Sequence, residues 1–157
     1  MPRITPFVWF DSQAEQAADF YLSIFPNSKI LRAARKTEAV PEETGEVMVI
    51  DLDLDGQPLT LLNGGPQFPL SEAFSLVVHC ADQAEVDLYW DRLLDGGQAS
   101  QCGWLKDRFG LSWQIVPDVL LELVADPDRA KAGRVAAAMM KMVKLDIATL
   151  QAAADEA

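Results

Sequence analysis

From Val47 to Leu54 the chain alternates, with Met48, Ile50, Leu52 and Leu54 on one side and Asp51 and Asp53 on the other. A period of two is the mark of a strand with one buried face. Asp55-Gly56 then supplies a tight turn and Leu59 to Leu62 returns, which predicts a hairpin. Upstream, Ile4 to Phe10 is apolar and β-compatible, and Ser12-Gln13-Ala14-Glu15 has capping-box spacing, with Ser12 placed to accept from the backbone N–H near Glu15. Ala14, Ala17, Ala18, Tyr21 and Phe25 recur at helical spacing until Pro26 closes the helix, and Lys29 to Lys36 reads as the next strand.

The same order of elements returns downstream. Ala73 to Ala81 is a strand candidate, Asp82-Gln83-Ala84-Glu85 repeats the cap pattern, and Val86, Tyr89, Trp90 and Leu93 form an apolar stripe that Gly96-Gly97 ends. The Gln-Ala-Glu triplet recurs, and so does an aromatic pair, Phe20-Tyr21 in one helix and Tyr89-Trp90 in the other. Gly103 to Lys106 then runs out, Asp107-Arg108-Phe109-Gly110 turns, and Leu111 to Val116 comes back. Both halves read as βαβββ, an internal duplication with residues 4–64 as one module and 73–117 as the other, inside a single domain of residues 1–157. The first is longer by Thr37 to Glu46, a Pro/Glu/Thr/Gly segment that predicts a surface loop. Residues 118–157 read as a helical segment, capped by Asp126 with Pro127 at the first helical position, its stripe formed by Val135, Met139, Val143, Ile147 and Leu150.

The second hairpin carries the most informative chemistry. Gly110 at the last turn position favours a three-residue loop, Arg108 to Gly110, closed by a bulge in which only glycine is comfortable. Counting outward from the Asp107/Leu111 pair, Leu105 opposes Trp113 and Trp104 opposes Gln114. Trp104 then shares a face with Ser112 and Gln114, while Trp113 and Ile115 turn toward the helix.

Composition narrows the function classes. With 157 residues and 50% hydrophobic content the chain can bury a real core. Thirteen basic against 24 acidic side chains give a net charge of −11, which repels phosphate backbones and anionic lipid, so nucleic acid and membranes are not expected partners. Cys80 and Cys102 are too few for a disulfide scaffold, and the beginning of the chain lacks the apolar run of a secretory signal; a cytoplasmic setting is expected. Asp51-x-Asp53-x-Asp55-Gly56 opens like a calcium loop, but Leu62 stands where the bidentate Glu belongs, and the pattern reads as surface carboxylates on a strand. His79, Cys80 and Cys102 lack zinc spacing and a fourth ligand.

TPFVWF, FYLSIFPNSKI, NGGP, DQAEVD and CGWLKDRFGLSWQIVP resemble the PhnB-like family, also called 3-demethylubiquinone-9 3-methyltransferase-like. That family lies in the vicinal oxygen chelate superfamily of glyoxalase I, extradiol dioxygenases and bleomycin-resistance proteins. The resemblance implies an α+β fold in which the two βαβββ modules form a curled, barrel-like mixed sheet around a cavity, with a C-terminal helix added. It also implies a homodimer. Metal-dependent members draw His, Glu or Gln ligands from the first and fourth strands of each module. Those positions fall here on Pro6, Thr60, Gln114 and, near the start of the fifth strand, Phe74 or Ser75; only Gln114 is of ligand type. The first strand of a module pairs with its fourth in this topology, which separates Cys102 from His79 and argues against a thiol–imidazole dyad. Neither Gly64-Gly65 nor Gly96-Gly97 forms the Gly-rich turn of a nucleotide-type cofactor site, so the methyltransferase name finds no support in the residues.

The expected function is therefore binding of a small organic molecule in the concave cavity, without metal or other cofactor. Trp104, Ser112 and Gln114 would offer an aromatic plane beside a hydroxyl and an amide; Thr60, Asn63 and Gly64 would add polar groups from the fourth strand. Other readings stay open: an uncharacterised enzyme using the same cavity, a metal-dependent lyase or dioxygenase with unusual ligands, a purely structural homodimer, or an interior in which Trp104 and Gln114 only fill a narrow barrel.

Overall fold

Apolar residues at period two and helices with one apolar face leave a simple solution, a helix laid on a sheet, and the chain uses it twice. The computed structural model describes residues 2–36 and 47–156; the expected loop Thr37 to Glu46 lies outside them. Two compact units form, Met1–Leu70 and Ser71–Ala157.

In the first unit the elements are β1 (Phe7–Phe10), α1 (Ala14–Ile24), β2 (Ser28–Arg35), β3 (Val47–Leu54) and β4 (Gln57–Asn63). The sheet order is β1-β4-β3-β2, with β1 parallel to β4 and the other pairs antiparallel. Ile50 opposes Leu61 and Leu52 opposes Leu59. These four, with Val8 and Phe10, are buried together with Ala14, Ala17, Ala18 and Tyr21 of α1. Small alanines let the helix lie close to the strands. Met48, expected on the buried side, is 42% exposed, whereas its neighbour Val47 is buried at the end of the strand. The Asp55-Gly56 turn takes φ of 50° and 89°, the left-handed pair that a two-residue hairpin loop requires.

The second unit repeats the plan with β5 (Ser75–Cys80), α2 (Gln83–Leu94), β6 (Gln98–Ala99), β7 (Trp104–Lys106) and β8 (Ser112–Pro117), in the order β5-β8-β7-β6. The predicted α+β class and the doubled βαβββ order thus hold, each module being a four-stranded mixed sheet. The two-residue edge strand β6 completes the βαβββ order but has no hydrophobic signature, and the sequence pattern did not locate it. Val86, Trp90 and Leu93 of α2 are buried with Leu105, Trp113 and Ile115.

The C-terminal segment departs from expectation. It is not one helix but three: α3 (Asp118–Val124), α4 (Arg129–Met139) and α5 (Ile147–Asp155). The N-cap of α4 is Asp128, which accepts from Ala130 and Lys131 N–H, while Asp126 accepts one step earlier from Asp128 N–H. Val116, Leu120, Leu123, Val135, Leu145 and Leu150 form a cluster of their own. The segment thus packs on itself and on the end of β8, and Val143, expected in the stripe, is 43% exposed.

Candidate functional site

The bulged register of the second hairpin is as the turn chemistry predicts. Trp104 pairs with Gln114, Leu105 with Trp113 and Lys106 with Ser112. Gly110 has φ of 92°, and Asp107 N–H donates to Leu111 O at 2.8 Å. Asp107, only 3% exposed, organises the loop: its carboxylate accepts from Phe109 N–H, Leu111 N–H and, at 2.9 Å, the Trp113 indole N–H. Arg108 donates to Asp95 O and to its carboxylate, tying the turn to the end of α2. Asp107 and Arg108 of the charged run are therefore architectural.

Trp104, Lys106, Ser112 and Gln114 occupy the sheet face opposite α2. Gln114 Nε2 donates to Ser75 Oγ at 2.9 Å. A cavity of about 200 Å³ opens here, lined by Glu72, Gln98, Ser100, Trp104, Lys106 and Ser112 among others. Glu72 and Lys106 form an ion pair across it; the Lys106 ammonium beside Glu72 holds its carboxyl below the usual carboxylate range. Ser112 is 1% exposed, and its Oγ is buried with no hydrogen-bond partner. Native proteins rarely leave a buried hydroxyl in that state. The sequence pointed to Trp104, Ser112 and Gln114 through the pleat; Lys106, the last residue of the same strand as Trp104, shares their face by the same alternation and was not among the expected contacts.

The first unit spends its candidate groups differently. Thr60 Oγ1 donates to Asp51, whose carboxylate also accepts from Arg32 Nε and Nη2. The Thr60 hydroxyl, ahead of the Arg32 guanidinium, keeps the Asp51 carboxyl below its ordinary range. Asn63 is engaged at both ends, Oδ1 accepting from Ala14 N–H at 2.8 Å and Nδ2 donating to Val47 O at 2.9 Å. It thereby does the work expected of Ser12: the N-cap of α1 is Gln13, with no side-chain cap of its own. In α2 the expected box forms, Asp82 accepting from Glu85 N–H and Glu85 accepting from Ala81 N–H. Gly64 lies under the Trp9 ring, where an added Cβ would come within 2.4 Å, and Trp9 Nε1 donates to Gly65 O. The NGGP motif is thus a cap followed by a seat for an indole.

The metal positions inherited from the superfamily do not fit a divalent ion. Pro6 and Phe74 offer no side-chain donor, Thr60 is bonded to Asp51, and Gln114 is bonded to Ser75. Among the described residues no three His, Cys, Asp or Glu side chains gather as a metal site. In the calcium-like run, Asp53 accepts from Gly56 N–H within the turn. β5 and β7 are separated by β8, and Cys102 Sγ lies 4.0 Å from Met140 Sδ, with His79 exposed on β5. Among the described residues, no helix is long and apolar enough to cross a membrane.

Comparison with known proteins agrees with this architecture. The family model of 3-demethylubiquinone-9 3-methyltransferase matches residues 2–116. The PhnB protein from Bacillus cereus, which carries the same description, is 30% identical with a TM-score of 0.67, the alignment covering 74% of this chain and 99% of that one. Protein PA1353 from Pseudomonas aeruginosa shares the fold at 16% identity and a TM-score of 0.64, over 74% of this chain and 98% of its own. The fosfomycin resistance protein FosX from Listeria monocytogenes, complexed with Mn(II) and sulfate, shares it at 13% identity and a TM-score of 0.53, over 83% and 97%. No curated protein matches. The family match over most of the chain, joined to the doubled βαβββ order, makes this protein a member of the 3-demethylubiquinone-9 3-methyltransferase-like (PhnB) family of the vicinal oxygen chelate superfamily.

Proposed function

We propose that the protein binds a small organic molecule on the strand face of its second module, without a metal, with Trp104, Ser112 and Gln114 as the contact residues. The observation that carries this reading is the Ser112 hydroxyl, buried without a partner at the floor of a cavity whose wall is Trp104. A partnerless buried hydroxyl costs stability, and a ligand that bonds it recovers that loss on binding. The indole supplies a flat apolar surface beside it. Thr60 and Asn63 have their polar atoms committed within the first unit, so the reading rests on the second-module residues.

The family's methyltransferase description is best taken as a name. Gly64 and Gly65 serve Trp9, and Gly97 packs so closely on Lys106 O that a Cβ there would come within 2.2 Å. Gly64 and Gly97 are accounted for by packing, and Gly65 by its φ of 96°. The same proposal includes a homodimer in a cytoplasmic setting; the superfamily resemblance supports the dimer, as does the open apolar edge at Met140 and Val143, 64% and 43% exposed.

The test is a fragment screen by protein NMR on the full chain, with native mass spectrometry for co-purifying compounds. Hits should move the Trp104 indole and the Ser112 amide, and Trp104→Ala should weaken them about tenfold. A screen whose hits cluster elsewhere on the surface overturns the assignment.

A further inference from the structure

We infer that the ligand is a single-ring anion, a carboxylate on a flat ring, and that Glu72 occupies its place when the site is free. The inference rests on the binding face proposed above and adds the charge and size of what it takes. Three observations carry it. First, among the described residues Lys106 is the one cation lining the cavity, and it is already matched by a carboxylate, that of Glu72. Glu72 is a side chain 62% exposed in the segment before β5, so releasing it to water disturbs no core.

Second, Lys106 and Ser112 are cross-strand partners on the same face. Directly opposed side chains have Cβ atoms roughly 4.5–5.5 Å apart, so one carboxylate can accept a hydrogen bond from the ammonium with one oxygen and from the Ser112 O–H with the other. Glu72 satisfies only the first of these; the serine stays unpaired while it is there. With Lys106 held by Glu72, Ser112 Oγ is buried and without a partner, so its bond is open to a ligand that reaches it.

Third, a cavity of about 200 Å³ is smaller than the roughly 300–1,000 Å³ of sites for drug-sized molecules, which limits the apolar part to one ring against the Trp104 face. The net charge of −11 does not exclude an anion, because charges beyond about 8 Å are screened at physiological salt and the contact charge decides.

Sodium benzoate and benzamide, a charged and a neutral ring of the same shape, test this on the full chain by NMR titration of the Trp104 indole and the Lys106 and Ser112 amides. Benzoate should bind at least tenfold more tightly than benzamide. Glu72→Gln should tighten benzoate several-fold by removing the internal competitor, Lys106→Gln should erase the preference for the anion, and Ser112→Ala should weaken benzoate while raising the melting temperature of the free protein. Equal binding of the two rings at these resonances overturns the charge inference and leaves the binding face standing. Failure of both rings to move them overturns both. Unchanged or weaker benzoate binding in Glu72→Gln overturns the self-occupied site.

Discussion

Trp104 and Trp113 lie nine residues apart in sequence on opposite faces of one hairpin, and everything separating their roles follows from the loop between them. Trp113 is 2% exposed and bonded to Asp107. Replacing it with Ala should cost about 3–5 kcal/mol, as large-to-small core changes do. Trp104→Phe should cost under about 1 kcal/mol, because the side chain is only half-buried and the ring survives; chemical denaturation of the two variants checks the contrast. This register was legible because Gly110 selects the bulge, and a two-residue loop would have paired the tryptophans with each other. The bonds of Asn63 and Asp107 were not legible, since an amide or carboxylate gives no sign in sequence of which distant N–H it will accept. Cys80 offers a second test at this scale. Burial, reinforced by Glu85, Asp118 and Asp82, pushes its thiol from 9.0 up to about 12. Only the unfolded thiol ionises between those values, so the stability Cys80 contributes is intact below pH 9.0 and is lost progressively as pH rises toward about 12. Cys80→Ala should flatten that alkaline decline in thermal melts; an identical slope in parent and variant refutes the assignment.

At the scale of elements, β3 and the first two helices were readable because each has one period and one buried face, whereas β6 is exposed and has no such signature. The C-terminal segment was not, because its apolar residues continue at helical spacing through a break. Met142 O and Val143 O are taken there by Cys102 N–H and Gly103 N–H, a pairing that no local pattern announces. Gln83 makes a second tie. Its amide donates to Asp87 and to Leu145 O and accepts from Ile147 N–H, so one side chain on α2 holds the start of α5. The repeated Gln-Ala-Glu triplet gives the same residue type a different task in each module, since Gln13 is only the N-cap of α1. Gln83→Ala should therefore speed amide exchange at Leu145 to Ile147 about tenfold or more, with exchange in β8 unchanged. Uniform acceleration through the second unit would mean that the segment and the sheet open as one body.

For the whole molecule, the proposal of a metal-free site is the one on which the chemistry turns. The strand positions that would hold an ion carry a proline, a threonine committed to Asp51, a glutamine committed to Ser75, and an aromatic or hydroxyl side chain. A divalent cation there would face at most one neutral amide oxygen, against the three or more protein ligands a bound metal usually needs. Nor does the fold require one: each unit has its own buried core, from Val8 through Leu61 in one and from Val86 through Leu150 in the other. Protein dialysed against EDTA should then melt at the same temperature as untreated protein, and added Mn²⁺ or Zn²⁺ should raise that temperature by less than about 1 °C, because a ligand that does not bind the native state cannot stabilise it. Elemental analysis of untagged protein checks the same point independently. One equivalent of metal per chain, lost on chelation together with several degrees of stability, would show that Gln114 has recruited donors outside the inherited positions and that the cavity works by Lewis-acid chemistry instead.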